Sequence, residues 1–196
     1  MTTPATPGRS NPPVELVELA GAVATVLLDE LPTHSRSLQE CLYQRVDAQT
    51  SALIEVELAI LYVHLFDRLI FARLGPEKRN VFVDALMVEV GEGLRRRHGH
   101  SSPFRFISSR SEREAIADEF RASLSQLGNS RQSIYSGFQE LEPLLWGYVR
   151  LMVETYPGKL SGNPAGMTGA VAGLMGAYKW FVETLKDLDA AGLLRH

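Results

Sequence analysis

The residues best equipped for chemistry lie on the most apolar stretch of the chain. Wound at 3.6 residues per turn, Glu57, His64 and Arg68 fall within a narrow angular band, with Asp67 beside them. A carboxylate near an imidazole can pass a proton, and the same residue types can hold a metal inside a helical protein. The pattern is unspecific, because neither Glu-x-x-His nor His-Glu-x-x-His occurs, nor a phosphate-cradling glycine loop, nor a nucleophile elbow. The structural alternative for these four residues is a thin solvated stripe, or an ion pair on a mostly buried helix.

A second candidate is electrostatic. Between Arg95 and Arg113 there are six arginines (95, 96, 97, 105, 110 and 113) against the single acid Glu112, whereas residues 14 to 94 carry thirteen acids and six bases. His98 and His100 add charge as pH falls toward their ordinary range near about 6.5. Arg95, Arg96, Arg97, His98, His100 and Arg105 could together bind an acidic or phosphate-bearing partner, with Phe104 and Phe106 as stacking surfaces. The simpler reading is that Arg95, Arg96 and Arg97 complement a helix C-terminus and the rest occupy a solvated loop. The chain as a whole is acidic and shows no nucleic-acid-binding module, so nucleic acid is not the expected partner.

The most specific signal is a set of glycines at 162, 166, 169, 173 and 176, spaced 4-3-4-3. Asn163-Pro164 starts a helix, which places Gly166, Gly169, Gly173 and Gly176 inside it on one stripe that continues to Trp180. Four interior glycines cost about 4 kcal/mol against alanine, which close approach by another surface would have to offset. Val171, Leu174, Met175, Tyr178, Val182 and Leu185 form a separate apolar face, so two neighbours are implied. The stripe is expected to pack on another helix of the chain, such as the small face of Ala20, Gly21 and Ala24; a second copy of the chain or a flat ligand are the alternatives.

A glycine-bearing helix over a flat ligand is an arrangement haem oxygenases use, and Pro32-Thr33-His34 could be imagined as an axial ligand. The correspondence covers a few residues of 196, and too little chain follows the glycine helix for that family's layout, so no resemblance is claimed. His34 is expected in a solvated turn between helices. The aromatic residues Trp146, Tyr148, Tyr156, Tyr178, Trp180 and Phe181 read as core, with a pocket beneath Trp180 as the alternative.

Helix punctuation must position all of these groups. Pro12-Pro13 precedes a helix from about 14 to 31 that Pro32 should stop, and Ser37 with Glu40 reads as a capping box opening a second helix toward Thr50. A third helix, 51 to 74, ends at Gly75; Pro76 starts a fourth that reaches Arg97. Residues 98 to 110 read as a loop, and Ser111 with Glu114 caps a helix ending near Leu127. Another begins at Ser133 and is restarted by Pro143, and the last runs from Pro164 to about Ala190. Nothing alternates with a period of two, so no sheet is expected.

The expected architecture is therefore all-α: a disordered leader at 1–13, rich in Thr, Pro, Gly and Ser, and one helical bundle of six to eight helices at 14–196, with the third and last helices central. The one cysteine, Cys41, can form no intrachain disulfide and reads as a small core residue among Leu38, Leu42 and Val46. Absence of a secretion signal or a membrane-spanning run leads to the expectation of a cytoplasmic protein. Reaction and cofactor are not readable from these features. The leading expectation is a non-enzymatic interaction or regulatory protein, a homodimer, that uses either the glycine face or the arginine loop against a partner; the alternative is a metal- or cofactor-binding enzyme or sensor, haem-like or for a small ligand.

Overall fold

The computed structural model describes residues 14–43, 45–98, 140–155 and 164–190. Among them are five helices and no strand. Helix α1 is Val14–Leu42. The run Ala48–His98 is divided at Gly75, whose φ of 72° and ψ of 171° are non-helical, into α2 (48–74) and α3 (76–98). Helix α4 is Leu141–Thr155 and α5 is Pro164–Ala190.

The break at Gly75 follows from the residue types: glycine takes a positive φ without a Cβ penalty, and Pro76 at the first position of α3 lacks an N–H that would be unsatisfied there anyway. Asp47 caps α2 by accepting a 2.7 Å hydrogen bond from the Thr50 backbone N–H. Pro143 lies in the first turn of α4, where proline is tolerated.

Pro32 does not stop α1. A single helix continues through it to Leu42, so the capping box expected at Ser37 does not form and Ser37 is an exposed residue of the helix interior. Proline removes the hydrogen bond that residue 32 would donate to the carbonyl of Leu28. That carbonyl is served instead from another helix: the Arg97 guanidinium Nη2 donates to Leu28 O at 2.7 Å. The break that local chemistry demands is thereby repaired by a tertiary contact.

Helix α1 packs along the α2–α3 run, and α5 packs on α1 and α4. Every residue from 54 to 63 is buried, which makes α2 the centre of the core, as its all-round apolar character requires. Leu27, Leu31, Phe66, Phe82, Leu86, Tyr148 and Phe181 complete it, none more than 1 % exposed. The Tyr43 hydroxyl closes the end of α1 against α4 by donating to Met152 O at 2.8 Å. Gln39 links α1 to the start of α2 through Ser51 Oγ at 3.0 Å.

Helix α5 is not central among the described residues. It buries Ala170, Val171, Leu174, Ala177, Phe181 and Leu185 and exposes the opposite side. No described helix is long and apolar enough to cross a membrane. The leader, the helix expected at 111–127 and residues 133–139 of the one expected from Ser133 fall outside the described residues, while the continuation of the last around Pro143 is α4.

Candidate ligand recess and the surrounding charge networks

Because α1 continues past Pro32, His34 is carried into the interior instead of into a solvated turn. It is half-buried, and its Nδ1 lies 2.8 Å from the hydroxyl of Tyr62 on α2. The two rings meet edge to face at 5.7 Å, and Trp180 of α5 stands edge-on to His34 from another side at 6.5 Å. Tyr62 in turn packs on Phe181, centroids 4.7 Å apart. Burial pushes the His34 imidazole below its ordinary pKa, opposed by the Glu30 carboxylate. Burial also raises the Tyr62 phenol, and Glu30 adds to the shift.

His34 and Tyr62 border a small, partly open recess of about 50 Å³, whose lining is completed by Ser37 and Leu38 of α1 and by Ala170, Gly173 and Leu174 of α5. Gly173 is thus a wall of a hollow. A side chain there would meet nothing within 4 Å of its Cβ, and the same holds at Gly176. Gly169, a turn earlier, faces Cys41: a Cβ at 169 would lie 3.3 Å from Sγ. Cys41 is half-buried at this edge, not enclosed in the core.

The expectation that the glycine stripe packs tightly within the chain therefore fails among the described residues. Gly169, Gly173 and Gly176 are exposed and Gly166 is half-buried. Nor is the small face of α1 their partner: Ala20 and Ala24 are in the core, and a Cβ at Gly21 would meet nothing within 4 Å. The helical glycine that does permit close approach is Gly93 of α3, where a Cβ would fall 2.2 Å from Leu28 Cδ1. Gly93, with Gly91 two residues before it, does not fall on a helical stripe, so its spacing carries no signal of close approach.

The four residues proposed for acid/base or metal chemistry are divided among separate tasks. Asp67 is clamped by Arg79 across the Gly75 break, with Nε on Oδ1 and Nη2 on Oδ2, each at 2.5 Å. Such a bidentate pair ties α2 to α3 and commits Asp67 to structure. Arg79 also lies over the exposed Phe71 ring at 5.8 Å. Glu57 is fully enclosed at 3 % exposure, and its charge acts on Tyr43, whose phenol is raised by burial first and by Glu57 second. His64 is half-buried and is pushed down to about 4 by burial and by the Arg68 and Arg79 cations, against Asp67. An imidazole so depressed is neutral at physiological pH. Among the described residues no group of three His, Cys, Asp or Glu side chains converges to hold a metal ion.

The arginine-rich end of α3 is also largely engaged. Arg97 Nη1 donates to Glu55 Oε1, and Nη2 serves Leu28. His98 Nε2 lies 3.2 Å from Glu55 Oε2. Glu55 is 7 % exposed, and its carboxylate is compensated by Arg97 with the His98 ring beside it, both residues that the sequence offered as anion binders. Arg96 reaches back to Glu92 at 3.6 Å but remains exposed, as does Arg95. His100 and Arg105 lie outside the described residues.

Of the candidate groups, the fold brings two residues of the glycine stripe to His34: Gly173 lines the recess, Trp180 stands against the ring, and His34 supplies the polar edge. Tyr62 and Ser37 were not anticipated. Comparison with protein-family models, curated proteins and solved structures finds no match to this chain.

Proposed function

We propose that this protein is a non-enzymatic regulatory protein that responds to a small molecule bound in the recess between α1, α2 and α5. The observation that carries this reading is the pairing of His34 with Tyr62 at the edge of a hollow whose α5 wall is Gly173. A half-buried imidazole fixed from one side by a buried phenol presents its remaining nitrogen in a defined position, which is what orientation of a ligand needs. Leu38, Ala170 and Leu174 supply apolar wall, and Ser37 a second hydroxyl. At about 10–15 Å³ of such space per water-sized group, the recess suits a ligand of roughly four heavy atoms. Thermal-shift screening of small metabolites tests it: stabilisers of the wild type should lose their effect in Gly173→Leu, whose side chain fills the recess. A wild type that no small molecule stabilises, or a Gly173→Leu variant that responds equally, would sink the reading.

A second reading is favoured by the same helix. Gly169, Ala172, Gly173 and Gly176 make an exposed strip of small residues, open above Gly173 and Gly176, on which a second copy of the chain could lie in a homodimer. Sedimentation of the wild type beside Gly176→Leu distinguishes the two: a dimer that the leucine dissociates supports this reading, and a wild-type monomer removes it.

A further inference from the structure

Resting on the recess as a ligand site, we infer that its ligand is a small neutral molecule with an oxygen acceptor, such as a ketone or amide, held by the Nε2–H of His34. Tyr62 decides which nitrogen of the His34 ring carries the proton. Its side chain is fully enclosed, 0 % exposed, and His34 Nδ1 is its hydroxyl partner among the described residues, at 2.8 Å. A buried hydroxyl that only accepted would strand its own proton without a partner, which is costly in a dry interior. Tyr62 therefore donates, Nδ1 accepts, and the ring proton of the neutral imidazole sits on Nε2. Burial disfavours the imidazolium and so keeps the ring neutral, and the Tyr62 hydrogen bond selects the tautomer.

The ring thus meets a ligand as a donor. Ser37, three residues on and on the same side of α1, lines the recess as well and can donate a second hydrogen bond. The ligand must answer with an acceptor.

Charge then narrows the choice. Among the described residues the recess is lined by no lysine, arginine or carboxylate, and the Glu30 carboxylate makes itself felt at both His34 and Tyr62. A carboxylate ligand would be desolvated beside that negative charge with no cation to receive it. An ammonium would bring donors to a site whose ring nitrogen is itself a donor. A neutral acceptor avoids both conflicts, and the apolar walls receive its short hydrocarbon part.

Three probes with the same four-carbon scale separate these cases: 2-butanone, butyrate and butylammonium, each titrated into the full chain. The readout is the long-range 1H–15N spectrum of the His34 ring, which reports both the tautomer and the bound state. Expected are a proton on Nε2 before any probe is added, and saturation by 2-butanone at about tenfold lower concentration than by either charged probe, the ratio of one unmade polar contact. His34→Phe, followed through the backbone amide shifts of the recess residues because the ring signal is gone, should abolish that preference while keeping the dispersed amide spectrum of a folded chain. A proton on Nδ1, or tighter binding of butyrate or butylammonium, overturns the neutral-acceptor inference and leaves the recess standing as a site. Failure of all three probes to perturb His34 removes both.

Discussion

Helix α1 meets α3 and α5 along two seams, and glycine of the opposing helix lies in each. On the α3 side, Gly93 receives the Leu28 side chain so closely that a Cβ would overlap it, and Arg97 one turn later donates to the Leu28 carbonyl. On the α5 side, Gly173 faces the His34 recess and has open space around it, while Gly169 only touches Cys41. The same residue type does opposite things. In the first seam the missing side chain is occupied by a neighbour, so the lost helix propensity is offset by contact. In the second it is not, and the open volume is available to something that binds.

The largest expected effect lies at Arg97, where two functions coincide. Arg97→Met strips the buried Glu55 of its guanidinium and leaves the Leu28 carbonyl without its donor. With Arg97 itself partly solvated, a loss of about 3 kcal/mol is expected in urea unfolding, at the low end for breaking a buried pair. Pro32→Ala restores the backbone N–H that belongs to Leu28, so in that background the same substitution should cost about 1 kcal/mol less. Equal costs in both backgrounds would show that the proline and the arginine are not linked.

Gly93→Val tests the packed seam directly. The added branches would have to displace Leu28, whose Cγ would lie only 3.0 Å from the new Cβ, and overpacking of this kind costs about 2 kcal/mol. Thermal denaturation that leaves the midpoint unchanged would mean that α1 and α3 can separate without loss.

How much of this was legible depended on how far each cause lies from its effect in the chain. The end of α2 at Gly75 and the start of α3 at Pro76 are local events, and the residue types alone announce them. The all-round apolar character of residues 53 to 70 likewise announces a central helix, and α2 is one. Pro32 misleads because the donor that replaces its N–H comes from 69 residues beyond the carbonyl it serves. That one error propagates: a chain broken at 32 puts His34 in solvent and makes Ser37 a cap, whereas a continuous α1 brings both to the recess. Asp67 and His64 show the converse, since their angular band is real but Arg79, across the Gly75 break, takes the carboxylate for structure. Gly173 was visible as part of a stripe; whether a stripe is covered is decided by tertiary packing, on which spacing is silent.

The smallest effect, and the one that most sharpens the contrast, is expected at Gly176. A Cβ there meets nothing within 4 Å, the residue is helical and exposed, and it does not line the recess. Alanine should therefore recover the helix propensity that glycine forgoes and raise stability by about 0.8 kcal/mol, with ligand stabilisation of the recess unaltered. The sign carries the information. If Gly176→Ala instead lowers the thermal midpoint, and does so more at higher protein concentration, a surface comes within a Cβ's reach of this helix only when chains associate. The open seam would then be a closed one formed between copies, governed by the same contact rule as Gly93 and Leu28.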